Sequence, residues 1–201
     1  MLTVIRDFSY EDYKALVEKY ITYDSREINF QNRVILPFLE FLLKNHNIDV
    51  VDTSTLYNRG KRNAKTLDNS KFMKEGFAPP DLILAKNWHL DNVNNAVEYL
   101  CALEIKSPVS ARGEHICGKE FEKYRMHVQQ EVQAHLEVNP IVILTDCYRW
   151  QFFDQKTGFI ETPPIDLVDQ SKNWIEGNQG IDKWKELCEK LADILRINGE
   201  R

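Results

Sequence analysis

Two apolar runs that end in charge constrain this chain more than anything else in it. The first is Asp81-Leu82-Ile83-Leu84-Ala85-Lys86, entered through Pro79-Pro80; the second runs from Ala96 to Lys106 and finishes Glu104-Ile105-Lys106. The proline pair rules out a helix there and sets an extended entry into Asp81. In the second run the odd positions Val97, Tyr99, Cys101, Leu103 and Ile105 are all apolar. The even positions are apolar in the middle and charged towards the ends, at Glu98, Glu104 and Lys106. Alternation of period two predicts a strand. One face covered throughout, and charge at the end of the other, is the pattern of a central strand that carries a site at its end. Glu104 and Lys106 then share a face, and Ile105 takes the opposite one. If the two strands are neighbours in one sheet, Asp81, Glu104 and Lys106 converge. Two carboxylates and an ammonium suit a hard divalent cation and an activated water.

The rest of the chain supplies the frame. Ser9-Tyr10-Glu11-Asp12 reads as a capping box opening a first helix, with Tyr13, Leu16, Val17, Tyr20 and Ile21 at helical spacing. Asp24-Ser25-Arg26-Glu27 reads as a second box, Asp24 at the N-cap and Glu27 at N3, before an apolar helix that Pro37 should kink. Residues 48–52 predict a short strand. A helix from Lys119 to about Glu137 carries Phe121, Tyr124, Val128, Val132 and Leu136 on one stripe, with Arg125, Gln129 and Gln133 along one edge. Two further strands, 141–145 and 148–154, join through Asp146-Cys147, and Lys156-Thr157-Gly158 turns into Phe159-Ile160. A helix from Ile181 to Ile197 follows, with Ile181, Trp184, Leu187, Cys188, Leu191, Ile194 and Leu195 inward. Strands and helices in this order, with one long crossover helix, predict an α/β fold: a central mixed sheet flanked by helices, with an added C-terminal helix.

Length and composition narrow the function classes. At 201 residues the chain reads as one domain, with a core over about 24–154 and a helical extension over about 163–201. The four cysteines have no CxxC spacing, which argues against a zinc site and against a disulfide framework and points to a reducing, cytoplasmic setting. No apolar run is long enough to span a membrane. A net charge of −5 opposes nucleic-acid binding as a bulk property, but a local basic surface decides the matter. One basic run exists: Arg59, Lys61, Arg62, Lys65, Lys71 and Lys74. It reads either as a phosphate-contacting loop or as a solvated one. Gly113 to Lys119 fits GxxxxGK, but Glu120 stands where a phosphate-binding loop needs Ser or Thr, so nucleotide binding is set aside.

With Pro80-Asp81 and Glu104-Ile105-Lys106 on successive strands ahead of a crossover helix, the chain resembles the PD-(D/E)XK nuclease superfamily, the restriction-endonuclease-like fold. More narrowly it is similar to the nuclease domain of type I restriction motor subunits and their small stand-alone relatives. Three features carry that: Glu27 opening an apolar helix, the run Glu104 to Pro108, and Leu144-Thr145-Asp146-Cys147-Tyr148-Arg149-Trp150. Asp146-Cys147 departs from the Asn-Gly of that hairpin.

The resemblance implies a metal-dependent DNA endonuclease acting in restriction, defence or DNA processing. Asp81 and Glu104, with the Ile105 carbonyl, would hold Mg²⁺ or Mn²⁺. Lys106 would orient or deprotonate the attacking water and stabilise transition-state charge, and Glu27 would help place metal or water. Glu27 also has a plain reading as a capping residue. Gln129 and Gln133 are similar to glutamines that the family places near its site, and otherwise read as solvated helix residues. Little chain remains for reading sequence, so specificity would come from DNA structure or a protein partner, and a double-strand cut would require two sites, as in a homodimer. The rival from another class is a catalytically silent copy of the fold that binds DNA or a protein as a regulator or inhibitor.

Overall fold

The computed structural model describes residues 8–53, 71–88, 97–110, 112, 115–117, 125–156 and 163–195, with the side chains of residues 125 and 126 left out. Six strands form one sheet in chain order: β1 (Asp49–Asp52), β2 (Leu82–Lys86), β3 (Glu98–Ile105), β4 (Ile141–Thr145), β5 (Arg149–Asp154) and β6 (Ile165–Asp166). Every neighbouring pair is antiparallel except β3 and β4, which run parallel. A parallel pair cannot be joined by a hairpin, and the connection contains the crossover helix α4 (Arg125–Leu136). Helix, three-strand meander, helix, parallel strand is the order expected for the core.

Strand alternation sorts the side chains into two cores. Leu82, Leu84, Cys101, Leu103, Ile105 and Ile143 face one way and bury against α1 (Tyr10–Tyr23), α3 (Leu36–Leu43) and α5 (Gly177–Ile194). Ile83, Ala102, Val142 and Leu144 face the other and meet Val128, Val132 and Leu136 of α4. Ala102, Glu104 and Lys106 alternate onto the same face of β3, so the charged end of that strand points to the side on which α4 packs.

The capping box at Ser9 forms as expected: the Asp12 amide donates to Ser9 Oγ at 3.1 Å, and the Ser9 amide donates to Asp12 Oδ2 at 3.0 Å. The second box does not. Asp24 ends α1, and its carboxylate takes the Arg26 guanidinium instead. The short helix α2 (Glu27–Phe30) starts at Glu27 itself, with Arg26 as N-cap and no side-chain cap bond. Glu27 therefore does not stand at N3 of a box. Pro37 produces no break. The preceding turn widens into a π-helical stretch, Gln31–Ile35, which carries the chain into α3.

Residues 165–195 join the main core. β6 pairs with β5, and Trp184 of α5 lies 4.8 Å from Phe38 and 5.0 Å from Tyr13, centroid to centroid. α5 starts at Gly177, four residues before its expected start. Its inner first-turn position is Gly180, pressed against the Ile175 carbonyl and Tyr10. Ile181, expected inward, lies at the stripe's edge and is 43% exposed. The expected turn at 157–160 and the last turn of the C-terminal helix lie outside the described residues.

Candidate active site

Asp81 sits where three strand ends meet. Its amide donates to the Leu103 carbonyl at 3.0 Å, and its carbonyl accepts from the Thr53 amide at 3.2 Å and from Gln31 Nε2 at 3.4 Å. Thr53 Oγ1 also donates to the Pro80 carbonyl. With the backbone fixed on both sides, the carboxylate reaches across to β3 and takes the Ile105 amide on Oδ2 at 2.7 Å. Lys106 is fixed in turn, its amide donating to the Thr145 carbonyl at 2.8 Å.

The structure brings Asp81, Glu104 and Lys106 together. Lys106 Nζ donates to Glu104 Oε1 at 2.6 Å. Two residues that the sequence reading passed over complete the cluster, both from α4. His135 Nε2 lies 3.2 Å from Glu104 Oε2, and Glu131 Oε2 lies 3.3 Å from Lys106 Nζ. His127 Nε2, on the exposed side, is 3.2 Å from Glu131 Oε1. Basic and acidic groups thus alternate from His127 through Glu131, Lys106 and Glu104 to His135.

Charge in this cluster is out of balance. Burial, then the Glu104 carboxylate and Glu27, push the Asp81 carboxyl up to about 8, against a counteracting bond from the Ile105 amide and the charge of Lys106. Glu104 is deeply buried, which alone would raise it, but the bond to His135 and the Lys106 ammonium outweigh burial and hold it below the usual carboxylate range. Burial lowers Lys106, yet Glu104, Glu27 and Glu131 more than offset this and hold it firmly as the ammonium. Glu27 is half-buried at the start of α2 and acts on both Asp81 and Lys106 through its charge.

Gln129 and Gln133, which the resemblance puts near the site, do not join this cluster. Both are exposed, on the edge of the α4 stripe opposite Glu131 and His135. At about 100° per residue, 131 and 133 are some 200° apart around a helix. Of the basic run, Arg59, Lys61, Arg62 and Lys65 lie outside the described residues; Lys71 is exposed, and Lys74 Nζ bonds Glu137 Oε1 at 2.6 Å. Most of the GxxxxGK stretch also lies outside them.

The β4–β5 turn is built on Asp146-Cys147. Cys147 has φ +69°, the left-handed conformation glycine would take without strain. Asp146 Oδ1 accepts the Tyr148 and Arg149 amides at 3.2 and 2.8 Å, and Thr145 Oγ1 accepts the Cys147 amide at 3.0 Å. Tyr13 donates its hydroxyl to the Cys147 carbonyl at 2.9 Å, tying the turn to α1.

Among the described residues, no three His, Cys, Asp or Glu side chains are arranged to hold a metal ion. No helix among them is long and apolar enough to cross a membrane. No protein-family model matches the chain, and no curated protein matches it. Among solved structures, the chain is similar to the type IIG restriction endonuclease BpuSI, with 14% identity and a TM-score of 0.40. That match covers 83% of this chain and 17% of the other, so the chain spans about a sixth of its length.

Proposed function

We propose that the chain is a metal-dependent endonuclease that hydrolyses DNA phosphodiester bonds, in restriction, defence or DNA processing. The observation that carries this reading is the meeting of Asp81, Glu104 and Lys106 at the joined ends of β2 and β3, with Glu27 in electrostatic range. The donor set is oxygen-rich and acidic, and the Asp81 carboxyl is raised first by burial and then by the Glu104 and Glu27 charges that a cation would offset. A hard divalent cation fits such a set. Asp81 and Glu104, with the Ile105 carbonyl, would hold Mg²⁺ or Mn²⁺. Bound there, the cation would act as a Lewis acid on the phosphoryl group and lower the pKa of water.

The chain's own residues divide the remaining work. Lys106 is held as an ammonium, so it donates rather than accepts: it orients the attacking water and offsets charge building on the phosphoryl oxygens. Asp81 is anchored by backbone on three sides, which fixes where its free oxygen points. Glu27, at the start of α2 and within electrostatic range of Asp81 and Lys106, would help place water or cation. The basic run around 59–65 would follow the phosphate backbone, a homodimer would supply the second site for a double-strand cut, and specificity would come from DNA structure or a protein partner.

A second reading is favoured by one feature. Glu104 is already bonded on both oxygens, to Lys106 and His135. A cluster so satisfied fits a silent copy of the fold that regulates by binding DNA or a protein. One experiment separates the two. Supercoiled plasmid is incubated with the protein in Mg²⁺, Mn²⁺ or EDTA, beside Asp81→Ala and Lys106→Ala. The nuclease reading expects nicking with metal, none in EDTA, and loss in both variants. No nicking with either metal, or equal nicking by the variants, rejects it.

A further inference from the structure

We propose that His135 is a positioning residue for Glu104, fixing that carboxylate from α4 so that it can hold a cation. The inference rests on the metal-centre reading above and adds a residue to it.

Register is the first argument. Glu104 on β3 and Lys106, one residue past its end, are two residues apart, roughly 6.6 Å of extended chain. His135 and Glu131 are one helical turn apart, roughly 6 Å along α4. The two rises match, and the pairs meet in opposite order: His135 on Glu104 at 3.2 Å, Glu131 on Lys106 at 3.3 Å. That is an antiparallel fit between the strand and the helix that crosses back over it.

Cost is the second argument. His135 is 2% exposed, and its Nδ1 has no hydrogen-bond partner among the described residues. An imidazole buried for packing alone would carry a desolvation penalty that Leu or Phe would not. The polar contact this ring makes through Nε2 is with Glu104 Oε2. With Lys106 on Oε1 and His135 on Oε2, the carboxylate plane is fixed from two directions. Outer groups that orient a ligand in this way weaken metal binding when removed.

The test measures Mn²⁺ binding directly, without DNA, by electron paramagnetic resonance of the unbound ion. Wild type is compared with His135→Leu and with His135→Gln, whose amide can return a donor to Glu104. His135→Leu is expected to bind Mn²⁺ roughly 10- to 100-fold more weakly, with His135→Gln recovering part of the loss. Equal affinity in wild type and a folded His135→Leu overturns this inference alone; no Mn²⁺ binding by wild type overturns the metal-centre reading and this inference with it. A second measurement needs no variant. Imidazole nitrogen NMR of the wild type is expected to show a proton on His135 Nε2, and a bare Nε2 overturns the proposal.

Discussion

Asp81 and Ile105 are joined across neighbouring strands, the Ile105 amide donating to Asp81 Oδ2 at 2.7 Å. The bond closes the β2–β3 ladder one residue beyond its backbone pairing. It also holds a carboxyl group in a place where its ionisation is opposed by burial and by Glu104.

Metal-free stability should therefore fall as pH rises. Folded, the Asp81 carboxyl titrates at about 8; unfolded, an aspartate titrates near 3.9. Between those values the folded chain holds more protons at this position than the unfolded chain, so its contribution is complete below pH ~4 and lost as pH approaches the folded value. Asp81→Asn retains an acceptor for the Ile105 amide and removes the titration. Urea unfolding at several pH values, with chelator present, should show a flatter profile for the variant over this window. Parallel profiles would contradict it.

Lys106 lies between two carboxylates, and its removal strands one of them. Lys106→Met should destabilise the metal-free protein by about 3 kcal/mol, as breaking a buried ion pair from one side does. Adding Glu104→Gln should restore most of that loss, because the buried charge goes with its partner. Denaturant midpoints of the two variants, compared at neutral pH, check both statements.

At Cys147 the usual order of alanine and glycine should reverse. Alanine removes the buried thiol and retains the unfavourable left-handed backbone; glycine removes the thiol and the strain together. Left-handed backbone costs a non-glycine residue about 1–2 kcal/mol, which exceeds the roughly 0.5–1 kcal/mol entropic penalty of glycine. Thermal unfolding should place Cys147→Gly at or above Cys147→Ala.

At Gly180 glycine should again be the better residue, here for lack of space rather than for backbone conformation. In a helix, alanine ordinarily gains about 1 kcal/mol over glycine. Here a Cβ would lie 1.9 Å from the Ile175 carbonyl oxygen and 2.6 Å from the Tyr10 ring. Gly180→Ala must push α5 off α1 or shift the 175 backbone, so its melting temperature should drop rather than rise.

Strand alternation made the sheet readable. Leu82 to Ala85 is apolar on both faces and the odd positions of β3 on one, and that pattern put Asp81, Glu104 and Lys106 at strand ends. Helix α4 shows where such reading stops. Its apolar stripe of Val128, Val132 and Leu136 has two edges, one carrying Gln129 and Gln133, the other Glu131 and His135. Periodicity identifies the stripe but does not say which edge lies over the strand end. The ionisable pair one turn apart at 131 and 135 was the available signal, facing an acid and a base two apart on β3. Asp24 misled for a local reason: its carboxylate has Arg26 as well as a helix amide to choose from, and the guanidinium takes it. The π turn before Pro37 has no pattern of its own, since it is the chain's response to a proline placed one turn ahead.

Trp184 carries a further consequence. Its ring lies within 6.4 Å of those of Phe8, Tyr10, Tyr13 and Phe38, so the first described helix and the last one close a single aromatic face. During synthesis that face remains open to solvent until α5 has emerged from the ribosome, well after α1 and α3. The sheet and α4 can assemble earlier. A nascent chain stalled short of α5 would thus present a row of bare rings to chaperones, and the docking of α5 is the event that hides them.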